Sequence, residues 1–134
     1  MERNFKLTDE ILNYDGRTLH KIEALVDLPQ HDVKKGDLGG FIEKEENLQG
    51  SAWVGDSAKV YDDAVVTDNA KVHWDAQVFG NAKVYGDANV WDQAQIWGDA
   101  SVYGSAEVCG YACVYDSAQV YDKARIYKDA EVYG

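Results

Sequence analysis

From Ala52 to Gly134 the chain reads AWVGDS, AKVYDD, AVVTDN, AKVHWD, AQVFGN, AKVYGD, ANVWDQ, AQIWGD, ASVYGS, AEVCGY, ACVYDS, AQVYDK, ARIYKD, AEVYG. These are fourteen units of six, the last one residue short, with no insertion. Alanine holds the first place in all fourteen, from Ala52 to Ala130. The third place is valine in twelve and isoleucine in two, Ile96 and Ile126. A helix cannot use this pattern. Six residues advance a helical face by about 600°, so Ala and Val would scatter around the cylinder, and Gly or Asp in nearly every unit would oppose it. In a strand the first and third places point to the same side.

Each unit is therefore a short strand with Ala and Val inward, closed by a turn at places five and six. Gly80, Gly86, Gly98, Gly104 and Gly110 alternate there with Asp56, Asp62, Asp68, Asp92, Asp116 and Asp122. Both residue types accept turn and left-handed backbone conformations. Three strands and three corners make an 18-residue triangular coil, and stacked coils satisfy one another through parallel ladders. The phase extends upstream to Leu48 and to Ile42, with Gly40 two places before it. About five coils at about 4.8 Å each span about 25 Å. The expected fold is all-β, a parallel β-helix over residues 40–134.

Residues 1–39 follow another rule. Ile11–Tyr14 and Arg17–Val26 flank Asp15-Gly16, a two-residue turn signal for a β-hairpin. Leu28–Gly40, with the only proline, Pro29, leads into the first coil. A solenoid needs its terminal ladder covered, so this segment reads as an N-terminal cap.

The A-x-V-x-[GD]-x run resembles the hexapeptide-repeat family of left-handed parallel β-helices. The left hand comes from that resemblance alone, since the usual crossover rule gives the opposite one. The stretch GRTLHKIEALVDLP with VKKGDLGGFIEKEENL also resembles the leader before such repeats in bacterial and phage proteins.

The 134 residues carry 24 acids and 13 bases, a net charge of −11. Residues 40–134 hold 16 acids and 7 bases, a net of −9, and residues 1–39 hold 8 and 6, a net of −2. That balance repels phosphate backbones and anionic bilayers. The expected partner is a protein with a basic surface, with no direct nucleic-acid or membrane contact. No run of about 18 apolar residues is present, and MERNFKLTDE is no signal peptide. Cys109 and Cys113 make no zinc or redox motif. The expected setting is cytoplasmic, with reduced thiols.

The fourth place of each unit faces outward and is aromatic in ten of the thirteen units between residues 61 and 133. Residues 18 apart stack, so Tyr61, Phe79, Trp97, Tyr115 and Tyr133 form one ladder. Thr67, Tyr85, Tyr103 and Tyr121 form a second, and His73, Trp91, Cys109 and Tyr127 a third. Such rows shield a β-ladder, and they also mark binding surfaces. The expected binding residues are the first ladder with the corner carboxylates Asp62, Asp99 and Asp116.

Catalysis has little to draw on. Acyl transfer from a thioester cofactor, the activity the resemblance implies, needs a general base beside a cleft. Only His73 lies on the rod, and it reads as an ordinary exposed strand residue; His20 and His31 lie in the cap. A carbonic-anhydrase-like member of that family would need three histidine ligands for zinc, and the rod has one. No cofactor, metal or catalytic residue is expected. The preferred expectation is a non-enzymatic binding protein, in a phage setting an inhibitor of a host enzyme or defence protein that imitates a duplex. The alternatives are a trimeric acyltransferase with its site between protomers and a structural element of a larger assembly. Self-association is expected either end to end, through Ala124, Ile126, Ala130 and Val132, or side by side as a trimer.

Overall fold

A computed structural model describes residues 3–134. The chain opens with an antiparallel hairpin, β1 (Phe5–Tyr14) and β2 (Arg17–Ala24). Asp15 (φ 52°) and Gly16 (φ 78°) form its turn. Both central residues are left-handed, as a hairpin turn matched to strand twist requires.

The cap and the rod share a strand. β3 (Leu38–Ile42) pairs antiparallel with β2, His20 opposite Ile42, and parallel with the strand Lys59–Val60, Ile42 opposite Val60. The expected boundary at residue 40 thus falls inside β3. Gly39 and Gly40 are needed there because the backbones come so close. A Cβ at Gly39 would sit 2.5 Å from the Val54 carbonyl oxygen, and one at Gly40 would sit 2.6 Å from that of Ala58.

The rest is a parallel β-solenoid. Fourteen two-residue strands, from β4 (Trp53–Val54) to β17 (Glu131–Val132), recur one per repeat unit. Each pairs with the strand 18 residues away, giving three sheets and three flat faces. Face one begins at β3 and carries Lys59, Gln77, Gln95, Cys113 and Glu131 in its strands. Face two carries Val65, Lys83, Ser101 and Gln119. Face three carries Trp53, Lys71, Asn89, Glu107 and Arg125. The ladder bonds are ordinary: Lys83 N–H donates to Ala100 O at 3.0 Å and Trp97 N–H to Val114 O at 3.0 Å.

Place five of every unit from Asp56 to Lys128 has positive φ, between 55° and 69°. Aspartates there also hold the next coil. Asp62 Oδ2 accepts the Gly80 N–H at 3.1 Å, Asp68 the Gly86 N–H at 3.0 Å and Asp92 the Gly110 N–H at 3.0 Å. The interior is a column of Ala and Val, each at most 2% exposed from Ala52 to Val114. In the last coil Ala124, Ile126 and Val132 are half-buried and Ala130 is exposed.

The cap docks on faces three and one. Trp53 stands at an outward place yet is 2% exposed, because Gly39 and Ile22 of the cap cover it. His31, on a one-turn 3-10 helix (Pro29–His31), is 6% exposed. Its Nε2–H donates to Ser51 O at 2.8 Å, and Lys71 Nζ donates to His31 O at 3.1 Å. Asn47, 1% exposed, is fully used. Its Oδ1 accepts the Glu43 and Lys44 N–H groups, and its Nδ2 donates to Asp62 O and Ala64 O.

Candidate interaction face

Face one is the most continuous aromatic surface. Tyr61 and Phe79 stack with centroids 5.0 Å apart, Phe79 and Trp97 at 6.2 Å, Trp97 and Tyr115 at 4.5 Å, and Tyr115 and Tyr133 at 5.2 Å. All four pairs lie within 15° of parallel. The cause is the repeat itself. Parallel strands in register place the same side chain above itself at one coil rise, and planar rings that close adopt offset stacks.

The hairpin extends the ladder and hides its first rung. Tyr14 meets Tyr61 edge-on at 5.8 Å, and the Arg17 guanidinium lies 4.9 Å from the Tyr61 ring centroid. Tyr61 is therefore 4% exposed, and its hydroxyl donates to Gln77 Oε1 at 3.0 Å. Burial pushes the Tyr61 hydroxyl pKa strongly up. Asp62, expected as a free corner carboxylate, pairs with Arg17 and holds the Gly80 N–H. These two residues join cap to rod and offer a partner no open ring or free charge.

The accessible part runs from Phe79 to Tyr133. Phe79, Trp97 and Tyr115 are half-buried, and Tyr133 is 64% exposed. Tyr115 donates to Glu131 Oε1 at 2.9 Å, and that bond, with burial, pushes its hydroxyl up to about 12. Asp99 and Asp116 stand exposed on the adjoining corner; Asp99 Oδ1 accepts from Asn81 Nδ2 at 3.2 Å. The structure thus brings Phe79, Trp97, Tyr115, Tyr133, Asp99 and Asp116 together as one accessible strip.

The other faces are less continuous. On face two Tyr85, Tyr103 and Tyr121 stack at 4.8 and 5.4 Å, below the smaller Thr67. On face three His73 and Trp91 are 6.1 Å apart and tilted, and Cys109 interrupts the row before Tyr127. His73 is not the exposed strand residue expected. Its side chain is 20% exposed, with Nδ1 4.0 Å from Asp56 Oδ2. The Trp91 ring 6.1 Å away covers part of it, and the docked cap adds His31 to an open polar groove of about 490 Å³ lined by His31, Lys71, His73, Asn89 and Trp91. Burial and the Lys71 charge lower the His73 pKa, against the opposing pull of Asp56 and Asp92. Burial raises the thiol pKa at both Cys109 and Cys113, with help from Asp92 and Glu131 respectively. Raised thiols are poor nucleophiles at neutral pH.

Two residues on the corner between faces three and one escaped the sequence reading. Trp74 and Tyr111 take corner places that the other units give to Gly, Asp, Asn, Ser, Gln or Lys, never to another aromatic, and they are 57% and 62% exposed. The available signal was their departure from the repeat. Among the described residues no group of three or more His, Cys, Asp or Glu could hold a metal ion, and no helix is long and apolar enough to cross a membrane.

In comparisons with known proteins, no family model matches the chain and no curated protein matches it.

Proposed function

We propose that this chain is a non-enzymatic binding protein that engages a basic-surfaced protein through face one. The reading rests on one observation: the stacked strip from Phe79 to Tyr133 is accessible along one side of the rod, with Asp99 and Asp116 on its edge. Aromatic residues ringed by polar ones are the usual composition of an interface centre. Their stacking pre-orders the rings, so binding has little side-chain freedom left to remove. The net −9 of residues 40–134, over about 25 Å of rod, is roughly one charge per 3 Å, against about one per 1.7 Å on duplex DNA. A protein cleft built for nucleic acid is therefore a fitting partner, and blocking such a cleft is the activity we assign.

The test compares immobilised wild type with Trp97→Ala. Wild type captures a defined partner whose retention falls as salt rises, because the acidic edge is screened, and Trp97→Ala captures none. Equal capture by the variant removes face one from the account.

A second reading, acyl transfer with His73 as base, is favoured by its lowered pKa and by the neighbouring groove. Stabilisation by an acyl-thioester cofactor in a thermal-shift assay, lost in His73→Ala, would select it.

A further inference from the structure

We propose that Trp74 and Tyr111 form a clamp for an arginine side chain of the basic partner, on the corner that borders face one. This rests on the binding reading above and supplies the chemistry of one contact.

Trp74 has φ 59°, a left-handed conformation that residues other than Gly, Asn and Asp seldom adopt. Six of the eight non-glycine corners on the rod are Asp: 56, 62, 68, 92, 116 and 122. Their carboxylates can bond the corner 18 residues on, as Asp56 Oδ2 bonds the Trp74 N–H at 3.1 Å. Trp74 has no such group to offer Asp92. It gains little burial in return, being 57% exposed. The fold would be served better by Asp or Asn at this place. Tyr111, one place further along its unit, is likewise a largely exposed aromatic, where neighbouring units carry Ser105 and Ser117.

The two rings bracket the corner of the intervening coil. Trp74, Asp75, Asp92, Gln93, Gly110 and Tyr111 line one pocket of about 270 Å³. That is below the roughly 300–1,000 Å³ of small-molecule sites and fits one side chain. The two residues lie two coils apart, about 10 Å along the axis, and both line this one pocket. A planar cation held in it has a ring on either side, the arrangement a cation–π contact needs within its roughly 6 Å reach. Asp75 and Asp92 supply the opposite charge, and Gln93 supplies a hydrogen-bond acceptor. Arginine suits this better than lysine, because its guanidinium stacks on rings and bonds carboxylates at the same time.

The experiment titrates the full chain with a tetra-arginine peptide, following tryptophan fluorescence and peptide anisotropy. Trp74→Asn keeps a residue that tolerates the left-handed corner without adding charge, and Tyr111→Ser restores the residue of neighbouring units. Each should weaken binding by about fivefold to thirtyfold, the scale of a hot-spot aromatic. The melting temperature of Trp74→Asn should hold or rise. Tetra-lysine should bind more weakly than tetra-arginine. Unchanged affinity in both variants, equal binding of the two peptides, or saturable binding of a neutral oligosaccharide in place of tetra-arginine would each overturn the clamp. Trp97→Ala separates the two claims. If it abolishes partner capture while the corner variants capture as wild type, face one stands and the clamp falls. If the corner variants lose capture and Trp97→Ala does not, the clamp stands and face one falls.

Discussion

Replacing Val84 by alanine removes two methyl groups from a side chain with no exposed surface. At about 0.8 kcal/mol per buried carbon the transfer loss is about 1.6 kcal/mol. The solenoid interior cannot easily close over the gap, because each wall is a hydrogen-bonded ladder: Tyr85 N–H is tied to Val102 O at 2.9 Å and Thr67 N–H to Val84 O at 2.9 Å. An unrelaxed void of about 50 Å³ at about 24 cal/mol per Å³ adds about 1.2 kcal/mol. The total is about 2–3 kcal/mol, or roughly 6–15 °C of melting temperature for a domain of this size. The same substitution at Val132 meets a different setting. That residue is half-buried in the last coil, so its cost should be well under about 1.5 kcal/mol. Thermal unfolding followed by far-UV circular dichroism measures both. Equal losses at the two positions, or a wild-type melting temperature for Val84→Ala, would refute the inward valine column.

Ala88→Leu should destabilise by about 1–3 kcal/mol or more through overpacking, since Ala88 is 1% exposed and three added carbons have no space; a wild-type melting temperature would show that place one is not interior. Trp97→Ala should stay folded, with a circular dichroism spectrum like wild type, because its ring lies outside the Ala/Val column; loss of the β signal would make the ladder structural. Burial, with the Lys71 charge, lowers the His31 pKa against the bond to Ser51 O. Unfolded His31 titrates near pH 6.5, so the unfolded chain takes up the proton first. Its stability contribution is fully present above about pH 6.5 and is lost as pH falls through the lowered folded value. His31→Gln should flatten this slope, read from melting temperatures between pH 5 and pH 7; an unchanged slope would remove His31 from it.

The repeating part of the fold was legible because each unit states its own geometry. Alanine at place one, valine at place three and Asp or Gly at place five gave the strand, its inward face and its left-handed corner, and the structure has all three. Asp15-Gly16 gave the hairpin by the same local logic. What the sequence did not disclose depends on docking between distant segments. Trp53 occupies an outward place, and only the cap makes it core. Tyr61 and Asp62 look like any other rung and corner until Tyr14 and Arg17 close over them. His73 looked exposed because nothing local shows that Gln30 and His31 of the cap come to line one groove with it. Trp74 and Tyr111 were visible as breaks in the repeat, yet a regular pattern draws attention to its consensus and away from its exceptions.

The most direct test of the account is oxidative footprinting of the aromatic side chains, free and in complex with the captured partner. Three faces of one rod carry chemically similar rings, so the molecule holds its own control. Binding through face one predicts protection of Phe79, Trp97, Tyr115 and Tyr133, with Tyr85, Tyr103 and Tyr121 on face two oxidised as in the free protein. Protection of the Tyr85–Tyr103–Tyr121 row, with Trp97 and Tyr115 left unchanged, would contradict it.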